Sequence, residues 1–179
     1  MRTLPGLSLK SELVQDNAPA RVVANVYIGS IHAAFNQDGL AQRGITHVLN
    51  ASGLPATFPR AFTYFNVDIR DREDAAILGA LGATAVFIDA GVEKGGVLVH
   101  CAGGRSRSAA IIAGYLMAKH AYTFDRALEA LRVVRPVVAI NKGFEQQLRA
   151  FEATRFDLFK SNQMMLRARV RTSVCDYVC

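Results

Sequence analysis

At 179 residues the chain has the size of one domain, and with 51% hydrophobic residues it can bury a sizeable core. Its apolar runs fall far short of the ~18 residues a membrane span needs. Met1 to Lys10 carries Pro5, Gly6 and Ser8 where a signal peptide would need an apolar stretch, and three cysteines, two of them in the last five residues, make no disulfide framework. These features fit a reducing, intracellular compartment, the cytoplasm or the nucleus. A net charge of +6 favours anionic partners in general, or is simply a solvated basic surface.

Residues 1–20 read as a polar N-terminal extension, with Ser8 to Gln15 suited to a short helix. Val22 to Ile28 predicts one strand, ended by Gly29 and Ser30. Ile31 to Gln42 predicts one helix closing at Gly44, a C-cap residue. Ile45 to Leu49 is a second strand, Ser52 to Arg60 a loop with Gly53, Pro55 and Pro59, and Phe62 to Ile69 a third strand, with Phe65, Val67 and Ile69 on one face. Asp71 to Asp74 reads as a loop becoming the N-terminus of a helix that runs to about Val92, where acidic side chains suit the dipole. Val97 to Val99 is a short buried strand. Helices follow from about Ser106 to His120, from an N-cap at Thr123 to about Arg135, and from an N-cap at Asn141 to about Phe159. Strands alternating with helices predict an α/β domain: a central, mainly parallel sheet of about five strands flanked by helices on both sides. Ligands of such sheets sit at the carboxyl ends of strands.

One such end carries His100-Cys101-Ala102-Gly103-Gly104-Arg105-Ser106-Arg107-Ser108. A tight glycine-containing loop between a strand and a helix aims successive backbone N–H groups at one point, and the helix dipole adds to them. That makes an oxyanion cradle with a thiol at one end and a guanidinium at the other. An ordinary thiol has a pKa near ~8.5, and a helix N-terminus with neighbouring cations lowers it to ~3.5–7.5. Cys101 as a thiolate attacks phosphorus, and Arg107 offers two phosphate oxygens a fork that Lys cannot match. Backbone N–H groups from Ala102 through Gly103, Gly104, Arg105 and Ser106 to Arg107 hold the remaining oxygens. Ser108 hydrogen-bonds the departing sulfur, and His100 orders the loop through its ring N–H. The competing reading, a buried core cysteine, needs neither the glycines nor the arginine.

His, Cys, five residues, Arg, Ser resembles the signature of the cysteine-dependent protein phosphatases. Tyr27-Ile28-Gly29-Ser30, Ile45 to Asn50, Gly96 to Cys101, and Arg135-Pro136 with Asn141, Gly143 and Phe144 look like dual-specificity phosphatase segments in their family order. The resemblance covers roughly residues 21 to 155. It implies the cysteine phosphatase fold, a catalytic domain over 21–158, and metal-free hydrolysis of phosphotyrosine and phosphoserine/threonine with no cofactor. It also implies a general acid about thirty residues before the cysteine. Asp68, Asp71 and Asp74 compete for that role. Asp68 lies inside the predicted strand, Asp74 suits helix N-terminal charge, and Asp71 stands seven residues after Tyr64, where the family pattern places its acid.

At Arg105 many protein-directed members have an apolar or aromatic residue. An Arg there looks like the loop of phosphatases acting on phosphatidylglycerophosphate or phosphoinositides, and the equal alternative is an arginine directed to solvent or to a carboxylate. Residues 159–179 lie outside the resemblance and read as a basic tail, with Arg167, Arg169, Arg171, Cys175 and Cys179, disordered or else touching a membrane weakly. Phosphoproteins, protein kinases among them, are the expected partners, with phosphoinositides second and no nucleic acid. The alternative functions are a phospholipid or phosphoinositide phosphatase using the same site and a phosphate-binding pseudophosphatase.

Overall fold

The computed structural model describes residues 16–175, with side chains to Leu166, so the expected helix at Ser8–Gln15 and the Cys179 terminus lie outside the described residues. The elements are β1 (Ala20–Val23), β2 (Val26–Gly29), α1 (Ile31–Phe35), α2 (Gln37–Gln42), β3 (His47–Asn50), β4 (Thr63–Asn66), α3 (Leu78–Glu93), β5 (Val97–His100), α4 (Arg107–His120), α5 (Phe124–Val134), α6 (Lys142–Ala153) and α7 (Leu158–Cys175). The sheet runs β1-β2-β5-β3-β4, with β1 antiparallel to β2 and every other pair parallel. The expected α/β sheet, mainly parallel and of five strands, is thus the observed one.

Strands β2, β3 and β5 are buried along their whole length, as strands covered on both faces must be. Side chains alternate between two cores. Val26, Ile28, Leu49, Val97 and Val99 face α3 to α6, while Tyr27, Val48 and Leu98 pack with Ala34, Leu40 and Phe62 on the α1/α2 side. Phe65, Val67 and Ile69 join the larger core together, although β4 stops at Asn66. Helix α4 is the central helix, buried from Ser108 to Met117, and its alanines and glycine let neighbouring helices approach on all sides. Burying Ile111, Ile112, Leu116 and Met117 is worth roughly 1.5–3 kcal/mol each, which anchors the N-terminus of α4 rigidly below the Cys101 loop.

Four expectations are corrected. Val22 to Ile28 is not one strand but a hairpin that turns at Ala24-Asn25, with Asn25 at φ 61°. The helix expected over Ile31 to Gln42 breaks at Asn36, whose Oδ1 accepts the Gly39 N–H (2.9 Å) and so caps α2. Glu73 and Asp74 do not open α3. They lie in a separate turn closed from Ala75 N–H to the Arg72 carbonyl (3.1 Å), and α3 begins at Leu78. The helix expected from Asn141 to about Phe159 ends at Ala153, and Leu158–Cys175 forms a further helix, α7, within the segment expected to be a basic tail, disordered or touching a membrane. Leu158 and Met165 pack on the larger core. Among the described residues no helix is long and apolar enough to cross a membrane.

Candidate active site

Strand β5 lies between β2 and β3, so the loop that leaves it at Cys101 emerges from the middle of the carboxyl edge. The carbonyls from Ala102 to Arg105 are bonded from outside the loop. Ala102 accepts Ile31 N–H (3.1 Å), Gly103 and Gly104 accept Arg135 Nη2 and Nε (2.9 and 2.8 Å), and Arg105 accepts Ala139 N–H (3.0 Å). Four successive carbonyls turned outward leave the intervening N–H groups turned inward, which is the cradle that a phosphate requires. Gly104 makes the turn possible. It sits at φ +62°, and a Cβ there would lie 2.6 Å from the Gly29 carbonyl oxygen and 2.8 Å from Arg135 Nε.

Cys101 is 2% exposed, the single described free cysteine. Burial pushes its thiol pKa up. The Ser108 hydroxyl (3.3 Å from Sγ), the Ser108 and Arg105 backbone N–H groups and the Arg107 charge outweigh that, and the pKa falls below its ordinary value. Ser106, which opens α4, does not cap it, so the first N–H groups of the helix stay available to the anion. The Ser106 hydroxyl instead donates to Asp71 Oδ1 (2.6 Å).

Arg107 donates Nη1 to the Ser52 carbonyl (3.1 Å), while its Nε is buried and unpartnered, 4.0 Å from Asp71 Oδ2. A buried guanidinium N–H without a partner is costly, and a phosphate oxygen would satisfy it. Asp71 is fixed at Oδ1 by Ser106 and by Asn141 Nδ2 (2.8 Å), which leaves Oδ2 facing Arg107. Asn141 also caps α6 through Phe144 N–H (2.9 Å) and donates its own N–H to Ser106 (3.2 Å). Gly143 lets α6 start against the Asp71 loop, since a Cβ there would sit 1.9 Å from the Glu73 carbonyl oxygen. Gln147 ties the far end of that loop, accepting Ile77 N–H (2.9 Å) and donating to Ala75 (2.7 Å).

Cys101, Arg107, Ser108 and Asp71 therefore meet at one site. Of the other two aspartates, Asp68 is exposed before the loop and Asp74 forms an exposed ion pair with Arg72 (3.0 Å). Arg105 is exposed and donates Nε to the Val137 carbonyl (3.2 Å), not to a carboxylate. His100 is buried, with its Nδ1 free of a hydrogen-bond partner, and the Cys101 backbone bonds its ring. Burial, with the Cys101 backbone opposing it and the Arg107 charge reinforcing it, pushes the imidazole down to about 4. It is neutral at pH 7. Among the described residues no group of three or more His, Cys, Asp or Glu side chains is placed to hold a metal ion.

The family model for the dual specificity phosphatase catalytic domain matches residues 26–154. The chain belongs to that family. It is a cysteine-dependent dual-specificity protein phosphatase, similar to dual specificity protein phosphatase 1 of Arabidopsis thaliana, at 40% identity over 76% of this chain and 70% of the relative. It is also similar to the MAP kinase phosphatase with leucine-rich repeats protein 3 of Dictyostelium discoideum, at 36% identity over 77% of this chain and 16% of that longer protein. The structure of human DUSP28 superposes with a TM-score of 0.72 at 31% identity, covering 76% of this chain and 93% of that one.

The phosphatase site uses residues whose roles the sequence did not disclose. Ser52, Ser106 through its hydroxyl, Arg135, Asn141 and Gln147 all act across 31 to 72 positions of sequence. Asn141 was legible as a helix cap but not as a partner of Asp71. Arg135 was legible as a helix stop but not as the clamp on Gly103 and Gly104.

Proposed function

We propose that this phosphatase removes phosphate from tyrosine and from serine or threonine of phosphoproteins through a phosphocysteine on Cys101, with residues 21–158 carrying the reaction. The buried thiol, held below its ordinary pKa under a ring of inward N–H groups, is the observation that carries this reading. The thiolate attacks phosphorus while the bond to the ester oxygen breaks. Arg107 and the loop N–H groups hold the three equatorial oxygens as charge develops on them. Asp71, its Oδ1 occupied by Ser106 and Asn141, gives a proton from Oδ2 to the leaving oxygen. In the second step Asp71 takes a proton from water, the water oxygen attacks phosphorus, and Ser108 donates toward the sulfur as the P–S bond breaks.

MAP kinases are candidate substrates because the Dictyostelium relative carries that name. A thiolate of this kind works in a reducing, intracellular compartment. The intact thiol, guanidinium, hydroxyl and carboxylate support turnover over a purely phosphate-binding role. Phosphoinositides are the alternative substrate of the same cradle.

Hydrolysis of a phosphotyrosine peptide by wild type and by Cys101→Ser, each with and without EDTA, tests the reading. The expected result is turnover by wild type, unchanged by EDTA, and none by Cys101→Ser, which still binds the peptide because its cradle is intact. Cys101→Ser turnover above roughly a hundredth of wild type would overturn the assignment, since a serine hydroxyl is far too weak an acid to ionise here.

A further inference from the structure

Beside the cradle, on the outer flank of the Cys101 loop, lies a groove of about 700 Å³ that the reaction above does not use. Its walls are apolar: Ala18, Ala20, Val134, Pro136 and Val137. Its polar groups are Arg105, Arg135 and Asp16. Arg135 and Asp16 form an ion pair, and Arg135 is already committed to the Gly103 and Gly104 carbonyls. Arg105 differs. Its stem lies over Gly103, whose Cβ position is 3.5 Å from Arg105 Cδ, and its Nε is tied to the Val137 carbonyl. Neither Nη group has a protein partner among the described residues. The guanidinium is thus held at its base with its two outer nitrogens open, a preorganised fork for a carboxylate or phosphate.

We infer that Arg105 and this groove form a subsite for an acidic side chain of the phosphoprotein substrate, two or three residues from the phosphorylated one. This rests on the phosphatase reading of the Cys101 cradle. The Arg105 backbone N–H is one of the groups that stabilise the Cys101 thiolate, so the fork is one arginine side chain away from the reacting phosphorus. Two residues of extended chain span about 7 Å, which matches that reach. The apolar walls suit the intervening peptide, whereas a polyphosphorylated lipid headgroup would need several open cations, and among the described residues Arg105 is the one lining cation that is not ion-paired. The subsite therefore selects sequence context and adds nothing to the chemical step.

Matched phosphotyrosine peptides with Glu, Gln or Lys two or three residues to either side of the phosphotyrosine test this, using wild type, Arg105→Ala and Arg105→Glu. Wild type is expected to favour Glu over Gln roughly twofold to fivefold in kcat/KM at one of these positions, the size of an ion pair at an exposed site. Raising the salt shrinks that ratio, because exposed charges are screened. Arg105→Ala brings the ratio near one, and Arg105→Glu turns the preference to Lys. Wild type that cleaves all the peptides at rates within about 1.5-fold of one another at low salt overturns the subsite and leaves the phosphatase reading standing. Wild type that cleaves none of them overturns the reading beneath it. A flat peptide ratio together with loss of phosphoinositide hydrolysis in vesicles on Arg105→Ala overturns the peptide subsite in favour of a lipid.

Discussion

Cys101 and His100 are neighbours, both buried, and their titrations move for different reasons. The thiolate gains from hydrogen bonds and from Arg107 more than burial takes away. For the imidazolium burial wins: the Cys101 backbone bond opposes it only in part, and Arg107 adds repulsion. His100 therefore stays neutral through the working range and does not serve as the base. It does make stability depend on pH. In the unfolded chain its pKa is near 6.5, and in the folded protein it is about 4. Between these values the unfolded state binds the extra proton, so stability is whole above pH 6.5 and declines as pH falls toward 4, by about 3 kcal/mol in all. Melting wild type and His100→Gln at pH 7 and pH 4.5 checks this: wild type is expected to lose more stability, and an equal loss contradicts it. At this scale Cys101, Arg107 and Ser108 were legible in the sequence because the cradle itself dictates their spacing. Ser52 and Asn141 were not, because contacts made across 55 and 70 positions leave no local pattern.

The elements that build the site are the starts of α4 and α6. Helix α4 delivers Arg107 and Ser108, while α6 delivers Asn141 and brings Gly143 against the Asp71 loop. Gly143→Ala must push that loop and helix apart, since its Cβ would overlap the Glu73 backbone. The expected cost is about 1–3 kcal/mol of stability. Hydrolysis of phosphoserine peptides should also slow more than that of an activated aryl phosphate, which needs no proton for its leaving group. Equal slowing on both substrates would show that α6 does not position Asp71. Helices α4 and α5 were readable from Ser106 and Thr123 as starts and from Arg135-Pro136 as a stop. The β1–β2 hairpin was hidden because Val22, Val23, Val26 and Tyr27 read as one apolar run, and Asn25 turns the chain by adopting a positive φ that Asn tolerates. The break between α1 and α2 was in principle visible at Asn36, a capping residue that the continuous helical pattern overrode.

Across the whole molecule, alternation of strands and helices announced a parallel sheet, but not that β5 inserts between β2 and β3, which puts Cys101 at its centre. Nor was it visible that residues outside the matched domain are built into the site. Asp16 pairs with Arg135 behind the Cys101 loop, and the chain beside it is clipped by Asn36 to the Asn17 carbonyl (2.9 Å). All these parts converge on a thiolate that becomes phosphorylated, and that intermediate is the centre of the proposed mechanism. Its direct measurement is a single turnover of Asp71→Asn with an activated aryl phosphate, quenched in acid and digested. The first step needs no general acid with this leaving group, whereas the second lacks its base, worth roughly 10²–10⁴-fold. The expected result is a burst of phenol equal to the enzyme and a phosphoryl group on the peptide carrying Cys101. Phosphate released in step with the phenol, with no phosphoryl group on that peptide, would contradict it.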